Sequence, residues 1–159
     1  MDELPDLTLI ATDGSPLSLA ALRGRPSVVY FYPKDDTSGC TKEAQDFSRL
    51  AADFTTAGVR VIGVSKDTPA SHQRFTGKHQ LEVALASDET GAVCEAFGAW
   101  VEKSMYGKKY MGIDRSTFLF DGAGRLARAW RKVKVPGHAD EVLAAAQALR
   151  AAESSHSSA

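Results

Sequence analysis

Strands and helices alternate through this 159-residue chain, which predicts one α/β domain with a central mixed sheet flanked by helices. Three observations carry the prediction. Residues 27–32 and 59–64 are apolar, β-branched or aromatic runs of the kind found in sheet strands covered on both faces. Between them, Ala44, Phe47, Leu50, Ala51 and Phe54 recur at helical spacing. Late in the chain, Asp121-Gly122-Ala123-Gly124 reads as a turn joining two strands, ahead of an alanine- and leucine-rich helix.

In order, residues 7–11 form a short apolar strand stopped by Asp13-Gly14, and residues 27–32 form a buried central strand closed by Pro33. A helix is expected over 40–57 with Gly58 as its cap, then a second buried strand over 59–64. A polar helix over 69–79, a strand over 83–86 and a helix over 89–97 follow. Strands over 117–120 and 126–130 and a helix over 138–152 complete the domain. Residues 1–152 thus make a single domain. Residues 153–159 hold nothing apolar to bury and are expected to fray. The order of elements best matches a thioredoxin-like arrangement.

A domain of this length buries about two thirds of its unfolded surface and needs no metal or disulfide staple. The formal net charge of −1 favours neither nucleic acid nor an anionic membrane as partner. No apolar run is long enough to span a bilayer. Met1-Asp2-Glu3-Leu4-Pro5 lacks the layout of a secretion signal. Two cysteines, Cys40 and Cys94, are not a disulfide framework, and the expected compartment is a reducing cytosol.

Cys40 follows a polar loop between a buried strand and an amphipathic helix, the position at which open α/β sheets bind ligands. A helix amino terminus offers unpaired N–H groups and partial positive charge, which favour thiolate. Gly39 permits close backbone approach, and Thr37 or Ser38 can cap. The plainer reading makes Cys40 a small apolar residue of the first turn. Thiolate formation alone is a weak source of rate. Lowering a thiol pKa from ~8.5 to ~6 raises its thiolate fraction at pH 7 by ~30-fold. The accompanying fall in nucleophilicity loses roughly 10-fold, leaving a few-fold gain. A useful thiol catalyst therefore needs donors and a cation where charge develops on the leaving atom.

The run Tyr30-Phe31-Tyr32-Pro33-Lys34-Asp35-Asp36-Thr37-Ser38-Gly39-Cys40-Thr41-Lys42-Glu43-Ala44 contains Pro-x-x-x-Thr-x-x-Cys and resembles the Q-type (bacterioferritin-comigratory) branch of the peroxiredoxins. Further similar runs are Val61-Ile62-Gly63-Val64-Ser65, Ser87-Asp88, Val93-Cys94-Glu95-Ala96-Phe97-Gly98 and Gly112-Ile113-Asp114-Arg115-Ser116-Thr117-Phe118-Leu119. The resemblance spans residues 7–149. It implies a thiol-dependent peroxidase acting on hydrogen peroxide and small organic hydroperoxides, without a cofactor or metal. Carried over by position, Cys40 resembles the peroxidatic nucleophile, Thr37 the hydroxyl that meets the peroxide, and Arg115 the guanidinium that holds both. Pro33 resembles the residue that shields the sulfur, and Glu43 the acid that orients the arginine. Taken without the resemblance, Arg115 reads as an exposed strand-end charge and Glu43 as a solvated first-turn acid.

Two positions depart from the pattern. Ser38 replaces a proline, which implies a small change in loop stability with a serine cap in its place. Gln45 stands where many members carry a resolving cysteine, and residues 69–79 hold none. Cys94, beside Val93 and Phe97, reads as core-facing rather than resolving. The resemblance is therefore to a one-cysteine member, whose sulfenic acid is resolved by an external thiol: thioredoxin, glutaredoxin or a low-molecular-weight thiol. The rival reading is a thioredoxin-fold binding or chaperone module with a silent cysteine, which has no reason to keep Thr37, Cys40 and Arg115 together.

Other candidates carry less. His138 is placed as a Cys–His protease would require but opens the last helix, and no oxyanion motif accompanies it. His72 and His79 have no metal-ligand spacing. Arg125, Arg128, Arg131, Lys132 and Lys134 form a basic strip of the kind that protects a sheet edge. Trp100, Tyr106 and Tyr110 fit either a substrate or reductase surface or the cover of the sheet edge.

Overall fold

The computed structural model describes residues 1–157, with side chains described through Glu153. Its first half contains β1 (Thr8–Ala11), β2 (Pro16–Ser18), a 3-10 turn at Ala20–Leu22, β3 (Ser27–Phe31), α1 (Ser38–Arg49), α2 (Ala51–Thr56) and β4 (Arg60–Ser65). Then follow α3 (Pro69–His79), β5 (Ala84–Ser87), α4 (Ala92–Ala96), β6 (Trp100–Met105), β7 (Lys108–Ile113), β8 (Ser116–Phe120), β9 (Leu126–Trp130) and α5 (His138–Ser157). The sheet has seven strands in the order β2-β1-β5-β4-β3-β8-β9, and β6 pairs only with β7.

Strand β3 is buried at every position, as its apolar sequence requires. It pairs in parallel with β4 and antiparallel with β8, so the sheet is mixed. Its side chains alternate between two cores. Val28, Tyr30 and Tyr32 face α1, α2 and α5 through Phe47, Phe54 and Val142. Val29 and Phe31 face Val93, Cys94, Phe97 and the amino-terminal segment. Gly63 on β4 leaves room for Tyr30, since a Cβ there would stand 2.6 Å from the phenol oxygen. The freed ring stacks on Phe47 of α1 at 4.5 Å between centroids, which seats the helix on the sheet.

Several elements differ from the sequence expectation. The helix expected over 40–57 begins at Ser38 and is divided at Leu50, whose ψ of 4° leaves the helical range while its N–H bonds the Asp46 and Ser48 carbonyls. Phe47, Leu50 and Phe54 still share one core across the break. Gly58 does end the helix, at φ 74°, with the Gly58 N–H on Thr55 O and the Val59 N–H on Phe54 O. Helix α5 continues past Ala152 to Ser157, and the Glu153 carboxylate accepts from the Gly122 N–H at 2.7 Å. Residues 158–159 lie outside the described residues. Strand β2 and the β6–β7 hairpin were not foreseen.

Candidate active site

Two neighbouring strands bring the site together. Phe31, the last residue of β3, lies opposite Ser116 at the start of β8. The chain leaving β3 therefore passes beside Arg115, although Cys40 and Arg115 are 75 positions apart. From Phe31 the loop runs through Pro33 and Asp35 to Thr37, the residue that caps α1 by position. Cys40 is the third residue of that helix. The first turn begins with the Thr41 N–H donating to Thr37 O, and the preceding amides have no intrahelical acceptor.

Cys40 is 2% exposed and borders an apolar core, yet its sulfur is not in a purely apolar setting. Arg115 Nη2 donates to Cys40 Sγ at 3.3 Å, and Arg115 Nη1 donates to Glu43 Oε1 at 2.7 Å. The guanidinium side chain is 16% exposed and Glu43 is 1% exposed, so neither is the solvated surface charge that each resembles when read alone. Burial pushes the Glu43 carboxyl up to about 7, and the Arg115 charge keeps it from rising further. Burial also opposes the charge on Arg115, but Glu43 and the Cys40 sulfur more than offset it and hold the guanidinium above its ordinary value. Gly39 is the floor of this arrangement: a Cβ there would meet Arg115 Nη2 at 3.2 Å.

Arg115 thus bridges Cys40 and Glu43. Thr37 stands at the mouth of the helix, and its hydroxyl donates to Lys34 O at 2.9 Å rather than capping an amide. Ser38 is already inside the helix, so the serine cap expected in place of proline is not formed. Pro33 is exposed at the start of the loop.

Cys94 lies on the other face of the sheet. It is 0% exposed in the second core, whereas Cys40 borders the first. Its N–H donates to Asp88 Oδ2 at 2.7 Å, and burial, reinforced by Asp88, pushes its thiol well above the ordinary value. Gln45 is exposed on α1.

The remaining candidates are occupied elsewhere. His138 Nε2 lies 2.8 Å from Thr117 Oγ1, and burial lowers its pKa to about 4. It therefore serves as a neutral partner of Thr117. The basic strip runs from the residue before β9, an edge strand, to a few residues past it, with Arg128 bonded to Glu141 and Arg131 bonded to the carbonyls that end α4. Trp100 packs against the second core with Lys66 4.3 Å from its ring centroid, while Tyr106 at the hairpin tip is 99% exposed. Sequence reasoning missed Asp35 and weighed His72 only as a metal ligand, yet the two meet at 2.7 Å where α3 packs on the loop that leads to Cys40. Their separation of 37 positions leaves no local signal.

A helix-start thiol held by a buried guanidinium, at the end of a central strand in a thioredoxin-like sheet, defines a thiol-based redox enzyme. The model of the AhpC/TSA family matches residues 1–129. Peroxiredoxin Bcp of Xanthomonas campestris pv. campestris is 49% identical over 150 residues, covering 92% of this chain and 94% of that protein. Peroxiredoxin Bcp of Bacillus subtilis is 46% identical, covering 87% of this chain and 88% of that one. A solved structure of the Xanthomonas campestris bacterioferritin comigratory protein superposes with a TM-score of 0.88 at 47% identity, covering 93% and 97% of the two chains. That structure bears on the relative's alkyl peroxide reduction activity, from trapped intermediate/ligand complexes. The chain belongs to the AhpC/TSA family and, within it, to the Bcp (Q-type) peroxiredoxins, which are thiol-dependent peroxidases.

Proposed function

We propose that this peroxiredoxin reduces hydrogen peroxide and small alkyl hydroperoxides through Cys40 alone, with an external thiol as reductant. The observation that carries the reading is the shared guanidinium: one arm of Arg115 donates to Cys40 Sγ while the other is fixed by Glu43. A donor already in place costs no reorganisation when charge moves from sulfur to the leaving oxygen. The relative's alkyl peroxide reduction supports the substrate class.

The steps balance as follows. The Cys40 thiolate attacks one peroxide oxygen, the S–O bond forms and the O–O bond breaks. The released hydroxide or alkoxide takes a proton and leaves as water or alcohol. In this scheme Arg115 holds the thiolate and the departing oxygen, and the Thr37 hydroxyl orients the peroxide. Pro33 limits water at the sulfur. An external thiol then attacks the Cys40 sulfenic acid, an S–S bond forms and water departs. A second thiol releases Cys40 as the thiol and carries away the disulfide.

The external route is favoured because Cys94 sits across the sheet from Cys40, buried and held as a thiol. The test is peroxide consumption against a panel of thioredoxin, glutaredoxin and small thiols. Turnover with at least one of them, abolished by Cys40→Ser, supports the scheme. A full cycle that instead requires Cys94 overturns it.

A further inference from the structure

Most of the loop between Pro33 and Thr37 is exposed, but Asp35 is only 8% exposed and is the point at which the loop is tied down. Its Oδ1 accepts from the Tyr32 hydroxyl at 2.5 Å. Its Oδ2 accepts from the Ser71 hydroxyl at 2.8 Å and lies 2.7 Å from His72 Nδ1. The Asp35 N–H donates to Asp67 Oδ2, which also accepts from the Ser65 hydroxyl. The next residue, Asp36, adopts a left-handed φ of 60° and pairs with Lys78 Nζ at 2.6 Å and His79 Nε2 at 2.8 Å. Four side chains of α3 therefore grip two consecutive aspartates of the loop.

The protonation of His72 follows from its partners. The ring is 0% exposed, and Nε2 lies 3.0 Å from the Ala86 carbonyl oxygen, which can only accept, so Nε2 carries a proton. Nδ1 faces Asp35. Both oxygens of that carboxyl already accept from hydroxyls, Oδ1 from Tyr32 and Oδ2 from Ser71, which is the arrangement of an ionised carboxylate, so Asp35 accepts from Nδ1 as well. Nδ1 then carries a proton as well. The Tyr32 oxygen, 3.3 Å from Nδ1, gives its own proton to Asp35 and removes none from the ring. Asp35 and Tyr32 are the titratable groups in hydrogen-bond range of His72, and Asp67 reaches the cluster through the Asp35 amide.

We propose that Asp35 and His72 form a buried carboxylate–imidazolium pair that positions the Thr37–Cys40 turn for peroxide attack. The inference rests on the peroxidase reading above and adds two positioning residues to it. Stability alone does not account for such a pair, because a buried ion pair loses in desolvation much of what it gains in attraction. What it supplies is register, since Asp35 lies two residues before Thr37 and five before Cys40 and is bonded at once to Tyr32, just past the end of β3, and to α3. A displacement of about 1 Å between reacting atoms can cost roughly 10²-fold in rate, so a loop released from α3 loses its reaction without losing its fold.

The charge state is read directly from the His72 ring nitrogens by nitrogen–proton correlation NMR of the whole protein at pH 7. Both nitrogens protonated is the expected result, and one bare nitrogen overturns the pair whatever the activity. For positioning, His72→Gln keeps a donor for Ala86 and removes the contact to Asp35. Its Cys40 oxidation by hydrogen peroxide is expected to slow about 100-fold, while alkylation by iodoacetamide is unchanged or faster because the loop has loosened. A peroxide rate within threefold of wild type, or both reactions slowed together, contradicts positioning. Should His72→Gln fail to fold, Ser71→Ala removes one donor to the same oxygen, with an expected threefold to tenfold loss. A loss below twofold counts against the proposal. A wild type that fails to react rapidly with peroxide contradicts the peroxidase reading but leaves the NMR result standing.

Discussion

Arg115 Nη2 reaches Cys40 Sγ from above Gly39, where a Cβ would stand 3.2 Å from the same nitrogen. Gly39 lies within the first turn of α1 and is not among the residues with positive φ, so alanine fits its backbone. Gly39→Ala should leave stability unchanged or raise it by up to about 1 kcal/mol, because alanine is the better helix former. It should nevertheless slow peroxide oxidation of Cys40 about tenfold by moving the guanidinium. Urea unfolding and stopped-flow oxidation on the same variant check the two opposite signs.

Glu43 couples the site to pH. A glutamate in the unfolded chain releases its proton near 4.5, whereas burial holds the proton on Glu43 up to about 7. Between those values the folded chain binds more protons than the unfolded one, so this group lowers stability as pH rises from about 4.5 to about 7. The size is on the order of 3 kcal/mol at most. Asp35, with its pKa lowered, acts below that window, where its contribution is lost as pH falls. Glu43→Gln should flatten the decline. Urea midpoints of both proteins at pH 5 and pH 8 measure it, and equal slopes would contradict the assignment.

Cys94 should be dispensable. Cys94→Ser is expected to keep turnover with an added thiol and to lose about 1–3 kcal/mol of stability for a hydroxyl in an apolar core. Cys40→Ser should abolish turnover. Mass spectrometry of peroxide-treated wild type should find no Cys40–Cys94 bridge, in line with their places on opposite faces of the sheet.

Thr37→Val keeps the shape of the side chain and removes the hydroxyl that donates to Lys34 O. The residue is exposed, so stability should change by less than about 1 kcal/mol. Peroxide oxidation should nevertheless fall by roughly 10²-fold, as expected for a group that orients the reacting oxygen. The same stopped-flow assay decides, and a rate within twofold of wild type would remove Thr37 from the scheme.

Residues 27–32 and 59–64 were readable as central strands because a strand buried on both faces has no polar alternation to hide it. Strands β6 and β7 were not, because charged and aromatic residues mix along Trp100–Met105 and Lys108–Ile113 without a sheet neighbour beyond each other. Their one local signal is the Tyr106-Gly107 turn, with φ of 52° and 77°. Cys40 was legible from its place between a strand and a helix. Its meeting with Arg115 was not legible from spacing, because it depends on the β3–β8 register and entered only through family resemblance. Glu43 likewise entered only through the resemblance, and Asp35 escaped altogether, for a related reason: carboxylates are ordinarily solvated, and only tertiary packing buries these two.

The central claim is that Arg115, more than thiolate formation alone, makes Cys40 fast. Stopped-flow oxidation of Cys40 by hydrogen peroxide, with wild type and Arg115→Ala compared at equal thiolate fraction, tests it most directly. The account predicts a wild-type rate far above that of free cysteine and a loss of at least about 10²-fold in the variant, well beyond the few-fold that a pKa change supplies. A wild-type rate no faster than free cysteine, or a variant rate explained by its thiolate fraction alone, would contradict it.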